Sequence, residues 1–558
     1  MAGAIFRVRG RGCGSTIEAD AAKIGIEMDA SGEVNEAVTQ GRDGDGTITD
    51  LQVFVTAGEA YPAFERAFLN AESEISASFR LFDLTTKLHS DEARELGDTW
   101  FDLMIDTLNR GVAIRIVVTD FDPVAAPDLH QLAWQTKRQM VAVQELANDD
   151  AKLEFTIALH DAKAGLVPKM VFFPFVRQKM RELNSSWLEM NGDERARFRS
   201  ETPRLRHICY EDDNGTLCFP VQLVDLYPAT HHQKMAVFDR RLLYIGGLDV
   251  NDRRYDTRRH RRAPERTWHD VQVMATGSVV EAAQTHLDTF LDTVAAKSPP
   301  PPAAPGFLRT LSRRRHRASF RVSPKPVVRE LEKRHLVAVR RSNQFIYLET
   351  QFLRFQPLAR ALAKRARQCP DLKLFVVMPA APEDIAFDSN NGLDARFGED
   401  QQIKCLTRLR QAFGEDRLLV TAPVQPRRQE SDERDVLEDA PLIYVHSKVS
   451  IFDDFGAIVS SANLNGRSLR WDTETGLWFD RPEHIELVRK RVMGNWLPSS
   501  GAGDEFLDPS TAFEHWKRLV DENTDLPPEK RRGFLVHYDS DAAREFALPV
   551  PGMPEEIV

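Results

Sequence analysis

Residues 232–249 read HQKMAVFDRRLLYIGGLD, and residues 446–463 read HSKVSIFDDFGAIVSSAN. Each stretch contains H-x-K, four further residues and an aspartate. Each then places two small residues before a final acid or amide, ten positions beyond that aspartate. One such motif arises often by chance, whereas two with the same spacing indicate a duplicated unit. We therefore interpret the stretches as equivalent parts of two related halves.

The apolar residues after each H-x-K predict a strand. Side chains alternate between the faces of a strand, so the histidine and lysine of one motif point the same way and the aspartate has the opposite parity. The six candidate catalytic residues are His232, Lys234 and Asp239 in the first motif and His446, Lys448 and Asp453 in the second. We expect each aspartate to organise the turn after its strand rather than contact a histidine.

A strand, a helix and a second strand precede each motif, which predicts parallel βαβ units. The segments are ISASFRLFDL, FDLMIDTLNRG and VAIRIVVTDF in the first half, and QFIYLETQFL, PLARALAKRARQ and LKLFVVMPA in the second. The predicted fold class is α/β, with two similar lobes about a pseudo-twofold axis. Each lobe is expected to hold a mixed, largely parallel sheet flanked by helices.

Breaks in composition predict the domain boundaries. Four successive prolines followed by an arginine cluster cannot continue a helix or a central strand, which favours a linker. The predicted divisions are an N-terminal extension (1–50), a first catalytic lobe (51–297) with an insertion near 161–205, a Pro/Arg-rich linker (298–326), a second catalytic lobe (327–500) and a C-terminal extension (501–558). We expect the last of these to be loosely packed, with one amphipathic helix near 513–523.

Composition narrows the function classes. The formal net charge of -10 counts against a protein that coats nucleic acid. The apolar stretch at the N-terminus is too short for a signal peptide, and no run of about 18 apolar residues predicts a membrane-spanning helix. Five cysteines without a C-x-x-C pair favour a reducing compartment. We expect a cytoplasmic or peripheral membrane protein, with export by a route without a cleavable signal left open.

Across roughly residues 50–500 these motifs resemble the phospholipase D superfamily. IYLETQFL (346–353) resembles the IYIENQFF segment of the phospholipases D proper, with Thr350 in place of Asn. SSANLNGRSLRWDTETG (460–476) resembles the GSANINxRS segment and the D-T-E that follows it, with Ser460 where Gly is usual. The segments GGLDVNDRRYDT and WHDVQV also have counterparts in the family.

The resemblance implies a double displacement at phosphorus through a phosphohistidine, with His232 as nucleophile and His446 as acid and base. The residues alone do not rank the two histidines, because the halves are pseudo-symmetric. Lys234 and Lys448 would stabilise charge on the nonbridging oxygens. Since the lysines take this role, we expect no metal and no other cofactor.

Four further residues are predicted to support the site. Each histidine needs a partner that fixes its tautomer. The candidates are Asp270 and Glu474, where the chain returns beside the motif strand, with Asp472 as a competitor for Glu474. Asn463 would donate to a phosphate oxygen, and Asp249 would hold the neighbouring lysine or its loop.

Several residues allow two interpretations. The run RRYDTRRHRR (253–262) would attract anionic headgroups or form a solvated loop. VPKMVFFPFV (167–176) would dip into a bilayer interface as a loop or pack in the core of the insertion. Glu349 and Gln351 would line the pocket or end a strand as satisfied polar groups. His231 and His232 are an unsuitable metal pair, because adjacent strand residues point to opposite faces.

The expected activity is hydrolysis of glycerophospholipids, with phosphatidylcholine favoured, to phosphatidic acid and a free headgroup, with transphosphatidylation as a side activity. The alternatives are a phosphatidyltransferase resembling cardiolipin or phosphatidylserine synthases, and a nuclease of the same superfamily. We expect a monomer that meets phospholipid at a membrane surface, without nucleic acid or an obligate protein partner.

Overall fold

Each half of the chain builds one large mixed sheet. The computed structural model describes residues 47–558 except 221–222, 316–319, 321, 323, 389, 391, 432 and 498–502, so residues 1–46 of the predicted extension lie outside the described part. The strands of the first half are β1 (Leu51–Val55), β2 (Glu74–Phe79), β3 (Ala113–Thr119), β4 (Leu153–Ala158), β5 (Tyr210–Glu211), β6 (Leu217–Cys218), β7 (Met235–Phe238), β8 (Leu242–Gly246) and β9 (Val271–Ala275). The sheet order is β1-β9-β8-β7-β2-β3-β4, and β5 pairs with β6 separately.

The second half repeats this arrangement. Its strands are β10 (Phe307–Arg313), β11 (Lys325–Arg329), β12 (Phe345–Thr350), β13 (Lys373–Val377), β14 (Leu418–Pro423), β15 (Val436–Leu437), β16 (Ala440–Pro441), β17 (Lys448–Phe452), β18 (Gly456–Ser460), β19 (Glu474–Phe479) and β20 (Leu535–His537). The sheet order is β11-β10-β19-β18-β17-β12-β13-β14-β20, and β15 pairs with β16. The motif strands β7 and β17 therefore occupy equivalent places.

Helices flank both sheets. In chain order they are α1 (Ala57–Asn70), α2 (Asp91–Arg94), α3 (Trp100–Asn109), α4 (Pro127–Leu146), α5 (Leu166–Glu189), α6 (Gly192–Glu201), α7 (Val279–Val294), α8 (Glu330–Arg341), α9 (Gln356–Gln368), α10 (Glu383–Ala386), α11 (Leu393–Phe413), α12 (Gly466–Arg470), α13 (Pro482–Gly494), α14 (Ala512–Asp525) and α15 (Ser540–Phe546). Among the described helices, none has both the length and the apolar character needed to cross a bilayer.

The predicted α/β class with two similar lobes is confirmed, but the expectation of largely parallel sheets is wrong. Only β2-β3-β4 and β12-β13-β14 pair in parallel within the two large sheets as described. Each motif strand instead turns directly into an antiparallel hairpin, β7-β8 or β17-β18. A turn of a few residues can join only antiparallel neighbours, and the motif residues Asp239 and Asp453 occupy such turns with positive φ.

Part of the interval predicted as a linker is instead a strand. β10 pairs with β19, which is the place that β1 takes beside β9 in the first sheet. Phe307, Leu308 and Leu311 are buried there, so this short apolar stretch after the prolines belongs to the core. The prolines at 299–302 precede the strand and do not interrupt it.

The C-terminal extension is also packed more firmly than predicted. The expected helix is present as α14, and it buries Phe513 and Trp516. β20 then pairs antiparallel with β14 and extends the second sheet by one strand. These elements share one core with the facing strands of both sheets, including Val237 of β7 and Val449 of β17.

Candidate active site

The two lobes meet through the residues that precede the motif strands. The backbone N–H of His232 donates to the carbonyl of Thr473 (2.9 Å), just before β19. The N–H of His446 donates to the carbonyl of His269 (2.8 Å), just before β9. Each motif therefore pairs with the residues just before β9 or β19 of the opposite half, which brings both motifs to one place.

The same backbone pairing gives each motif histidine a carboxylate from the other lobe. His232 Nδ1 lies 2.9 Å from Glu474 Oε1, and His446 Nδ1 lies 2.6 Å from Asp270 Oδ2. The structure therefore brings both predicted carboxylates to histidines, but each comes from the opposite half rather than from the return strand of its own half. Asp472, the alternative candidate for the role of Glu474, instead accepts a hydrogen bond from the N–H of Thr230 (2.7 Å).

Both motif lysines are buried beside the histidines. Lys234 Nζ donates to the carbonyl of His232 (2.6 Å), and Lys448 Nζ donates to the carbonyl of His446. Asp249 Oδ2 lies 3.9 Å from Lys234 Nζ, while its Oδ1 accepts from the N–H of Leu81 (2.9 Å). Asp249 thus contacts both the lysine and the neighbouring loop, the two roles that its position predicts.

Asn463 is the counterpart of Asp249 in the second lobe. Its side chain is buried, and its Oδ1 has no hydrogen-bond partner among the described residues. Nearby, Ser461 Oγ donates to Glu474 Oε2 (2.5 Å) and accepts from the N–H of Thr475 (3.1 Å). The second small-residue pair therefore fixes the carboxylate that orients His232.

Burial determines the protonation of this cluster. It lowers the pKa of His232 and of His446 well below the usual value, and the positive charges of the two lysines lower both further. Burial also raises the pKa of Glu474 to about 8 and lowers that of Lys448 to about 7. Without a bound anion the site thus favours neutral imidazoles, the form in which a histidine is nucleophilic.

These shifts predict an alkaline limb near pH 7 in the pH profile of kcat/KM. The pKa of Lys448 reflects burial first, which Asp270, Glu474 and Asp249 oppose and Lys234 reinforces. As pH rises through about 7 the free protein loses this ammonium, so kcat/KM on a soluble diester should fall by about tenfold per pH unit. Lys448→Arg should move the limb to higher pH, because a guanidinium stays charged. A flat profile from pH 6 to about 9 would contradict this assignment.

The motif aspartates lie away from the histidines, at the far ends of the motif strands. Asp239 accepts backbone hydrogen bonds of 2.8–3.0 Å from residues 72–74, at the start of β2. Asp453 accepts the equivalent bonds of 2.7–3.0 Å from residues 343–345, at the start of β12. They therefore join their own turn to the next strand of the sheet, rather than organising the turn alone.

Asp239→Ala should lower the free energy of unfolding by about 1–2 kcal/mol at pH 7 and leave kcat within about threefold, because it removes anchoring bonds and no reacting group. Partial burial tends to raise the pKa of Asp239, but the hydrogen bonds from Ser73 and its neighbours outweigh it and lower that pKa. A carboxylate of this kind stabilises the fold above its unfolded pKa of about 3.9, and its contribution disappears as pH falls through the lower folded value.

Denaturant titrations of Asp239→Ala and of the wild type at neutral and acidic pH measure this effect. The difference between them should shrink at acidic pH. Loss of turnover without loss of stability would instead place Asp239 in the reaction. Asp453→Ala provides the matched substitution in the second lobe.

Their contacts decide between the two interpretations of the arginine run (253–262) and of the polar residues Glu349 and Gln351. Arg254 lies 3.6 Å from the ring centroid of Trp268, whose ring centroid is 4.6 Å from that of His446. This part of the run borders the pocket instead of forming a solvated loop. Glu349 accepts from Trp496 Nε1 and Gln351 donates to the hydroxyl of Tyr444, so both are satisfied polar groups at a strand end.

Arg80 is a site residue that the sequence analysis did not identify. It follows β2, the strand beside β7, and its positive charge contributes to the lowered pKa of His232. Its guanidinium lies 5.2 Å from the ring centroid of Phe121. The available signal was its position directly after β2, the first strand of the predicted βαβ unit.

The sequence and the fold were compared with those of known proteins. No family model matches the chain. The chain is 23% identical over 472 residues to phospholipase D alpha 1 of Nicotiana tabacum and 22% identical over 476 residues to phospholipase D alpha 2 of Arabidopsis thaliana. Each alignment covers 60% of this chain and 57% of the relative, so the chain spans little more than half the length of these relatives. Among solved structures, a phosphatidylserine synthase of Haemophilus influenzae Rd KW20 aligns with a TM-score of 0.48 and 10% identity, over 86% of this chain and 95% of that one.

Proposed function

We propose that the chain, as a member of the phospholipase D superfamily, hydrolyses glycerophospholipids, with phosphatidylcholine favoured, to phosphatidic acid and a free headgroup. The exchanged pairs His232–Glu474 and His446–Asp270 carry the proposal. They place two oriented imidazoles and two buried ammonium groups in one pocket. A phosphodiester anion would accept hydrogen bonds from both ammonium groups beside the two imidazoles.

In the first step, His232 Nε2 attacks phosphorus while Glu474 holds Nδ1. The bond from phosphorus to the headgroup oxygen breaks, and His446 gives its proton to that oxygen. The charge of the bound diester offsets the lysines, and Asp270 then favours the protonated form of His446. Lys234 and Lys448 stabilise the charge that builds on the nonbridging oxygens.

In the second step, His446 takes a proton from water, whose oxygen attacks phosphorus as the Nε2–P bond breaks. An alcohol can replace water, because the intermediate requires only an oxygen nucleophile. The products are then a phosphatidyl ester of that alcohol and the regenerated neutral His232. Transphosphatidylation therefore accompanies hydrolysis.

Phosphatidylcholine vesicles, incubated with and without ethanol and a chelator, test this proposal. We expect choline release that persists with the chelator, because the lysines supply the positive charge, and phosphatidylethanol whenever ethanol is present. DNA and phosphatidyl acceptors such as glycerol and serine are tested in parallel, with His232→Ala as the blank. Cleavage of DNA without lipid turnover would favour a nuclease, and transfer without hydrolysis would favour a phosphatidyltransferase.

A further inference from the structure

The first three turns of α5 expose an apolar stripe. The exposed fractions are 54% for Leu166, 51% for Met170 and 67% for Val171, and Pro174 is exposed beside them. Residues spaced by three and four positions share one helix face, so these side chains form a continuous surface. The sequence is compatible with a loop or a buried segment here, and the structure shows an exposed helix face instead.

The rest of α5 explains why this stripe is not needed for folding. The opposite face packs in the core of the inserted region, through Val176, Met180, Leu183 and Trp187. Along the exposed face the stripe gives way to Arg177 and Arg181, and neither has an acidic partner among the described residues. The exposed face thus changes from apolar to cationic along one helix.

The stripe is tied to the chain that leads into the active site. Lys163 and Lys169 both pair with Asp225, and the N–H of Ala164 donates to the carbonyl of Leu226 (3.0 Å). Asp225 is seven residues ahead of His232, and seven residues span at most about 25 Å. A membrane surface that binds the first three turns of α5 would therefore lie close to the pocket.

We propose that the first three turns of α5 dock onto a bilayer that contains anionic lipid and bring the active site to its substrate. This inference rests on the proposed function, because it assigns the surface from which the lipid is taken. Apolar side chains beside exposed arginines match a helix lying in the interface, where long cationic side chains reach the headgroups. Four exposed side chains form a small patch beside the ~800 Å² that each partner buries in a standard protein interface, which disfavours a second copy as the occupant.

A vesicle flotation assay in the His232→Ala background tests the docking without lipid turnover. Leu166→Ser/Met170→Ser/Val171→Ser should weaken binding to phosphatidylcholine–phosphatidylserine vesicles by at least about tenfold. Val141→Ser/Leu146→Ser is the matched control, because both residues are exposed apolar side chains of α4 (49% and 63%). Arg177→Gln/Arg181→Gln should weaken binding to these anionic vesicles and not to vesicles of phosphatidylcholine alone.

In the active background, the triple serine variant should turn over a soluble diester within about twofold of the wild type, because the three side chains lie on an exposed helix face. Failure of the parent to bind vesicles would overturn the proposal, as would equal binding by the triple variant and its control. If binding follows the prediction while no headgroup is released from any lipid, the proposed function fails and the membrane surface stands.

Discussion

His232→Ala should lower kcat for phosphodiester hydrolysis by at least about 10⁴-fold, because the variant loses the nucleophile and with it the covalent route. The protein should remain folded, since Glu474 keeps its hydrogen bond from Ser461 and its raised pKa allows it to bind a proton when His232 is absent. Steady-state kinetics on a soluble diester and thermal melting measure the two effects separately.

The control for this substitution is His515→Ala, which changes a half-buried histidine on α14 that is remote in sequence from either motif. It should retain wild-type turnover. Turnover by His232→Ala within about tenfold of the wild type would exclude His232 as the nucleophile.

His446→Ala should lose steady-state turnover to a similar extent but retain the first chemical step on an activated substrate. A p-nitrophenyl phosphodiester has a leaving group that needs no proton, so His232 can still displace it. Without His446 no base activates water, and the reaction should stop after about one nitrophenolate per protein molecule. Stopped-flow absorbance measures this burst.

The same burst separates the roles of the two histidines. His232→Ala should show none, because no covalent bond to phosphorus forms. A burst in His232→Ala together with its absence in His446→Ala would reverse the assignment of nucleophile and acid. The pseudo-symmetry of the lobes makes this reversal the main competitor to the present assignment.

The motifs allowed much of the site to be predicted. A strand has a side-chain period of two, so H-x-K placed each histidine and lysine on one face and left Asp239 and Asp453 on the other. The repeated strand, helix and strand predicted the parallel part of each sheet. Asp270 and Glu474 could be predicted as the two histidine partners, because a histidine in such a site requires a group that orients it.

The origin of each carboxylate could not be predicted from periodicity. Asp270 directly precedes β9 and Glu474 begins β19. The backbone pairing of Thr473 with His232, and of His269 with His446, is what exchanges them between the lobes. The strand β10 was missed for a related reason: its few apolar residues lie only a short distance after four prolines, and its place beside β19 depends on a distant part of the chain. Arg80 lacked any local motif.

This exchange has a functional consequence. Since His232 depends on a carboxylate of the second half and His446 on one of the first half, neither half contains a complete histidine–carboxylate pair. The two halves therefore contribute to one candidate active site rather than to two independent ones.

Mapping the covalent intermediate tests the central claim most directly. His446→Ala is incubated with the p-nitrophenyl ester of a short-chain phosphatidic acid, quenched in denaturant at neutral or alkaline pH, digested and analysed by mass spectrometry. We expect a phosphatidyl adduct on His232 in the peptide that contains this residue. An adduct on another residue, or no adduct in a variant that still releases one nitrophenolate per molecule, would contradict it.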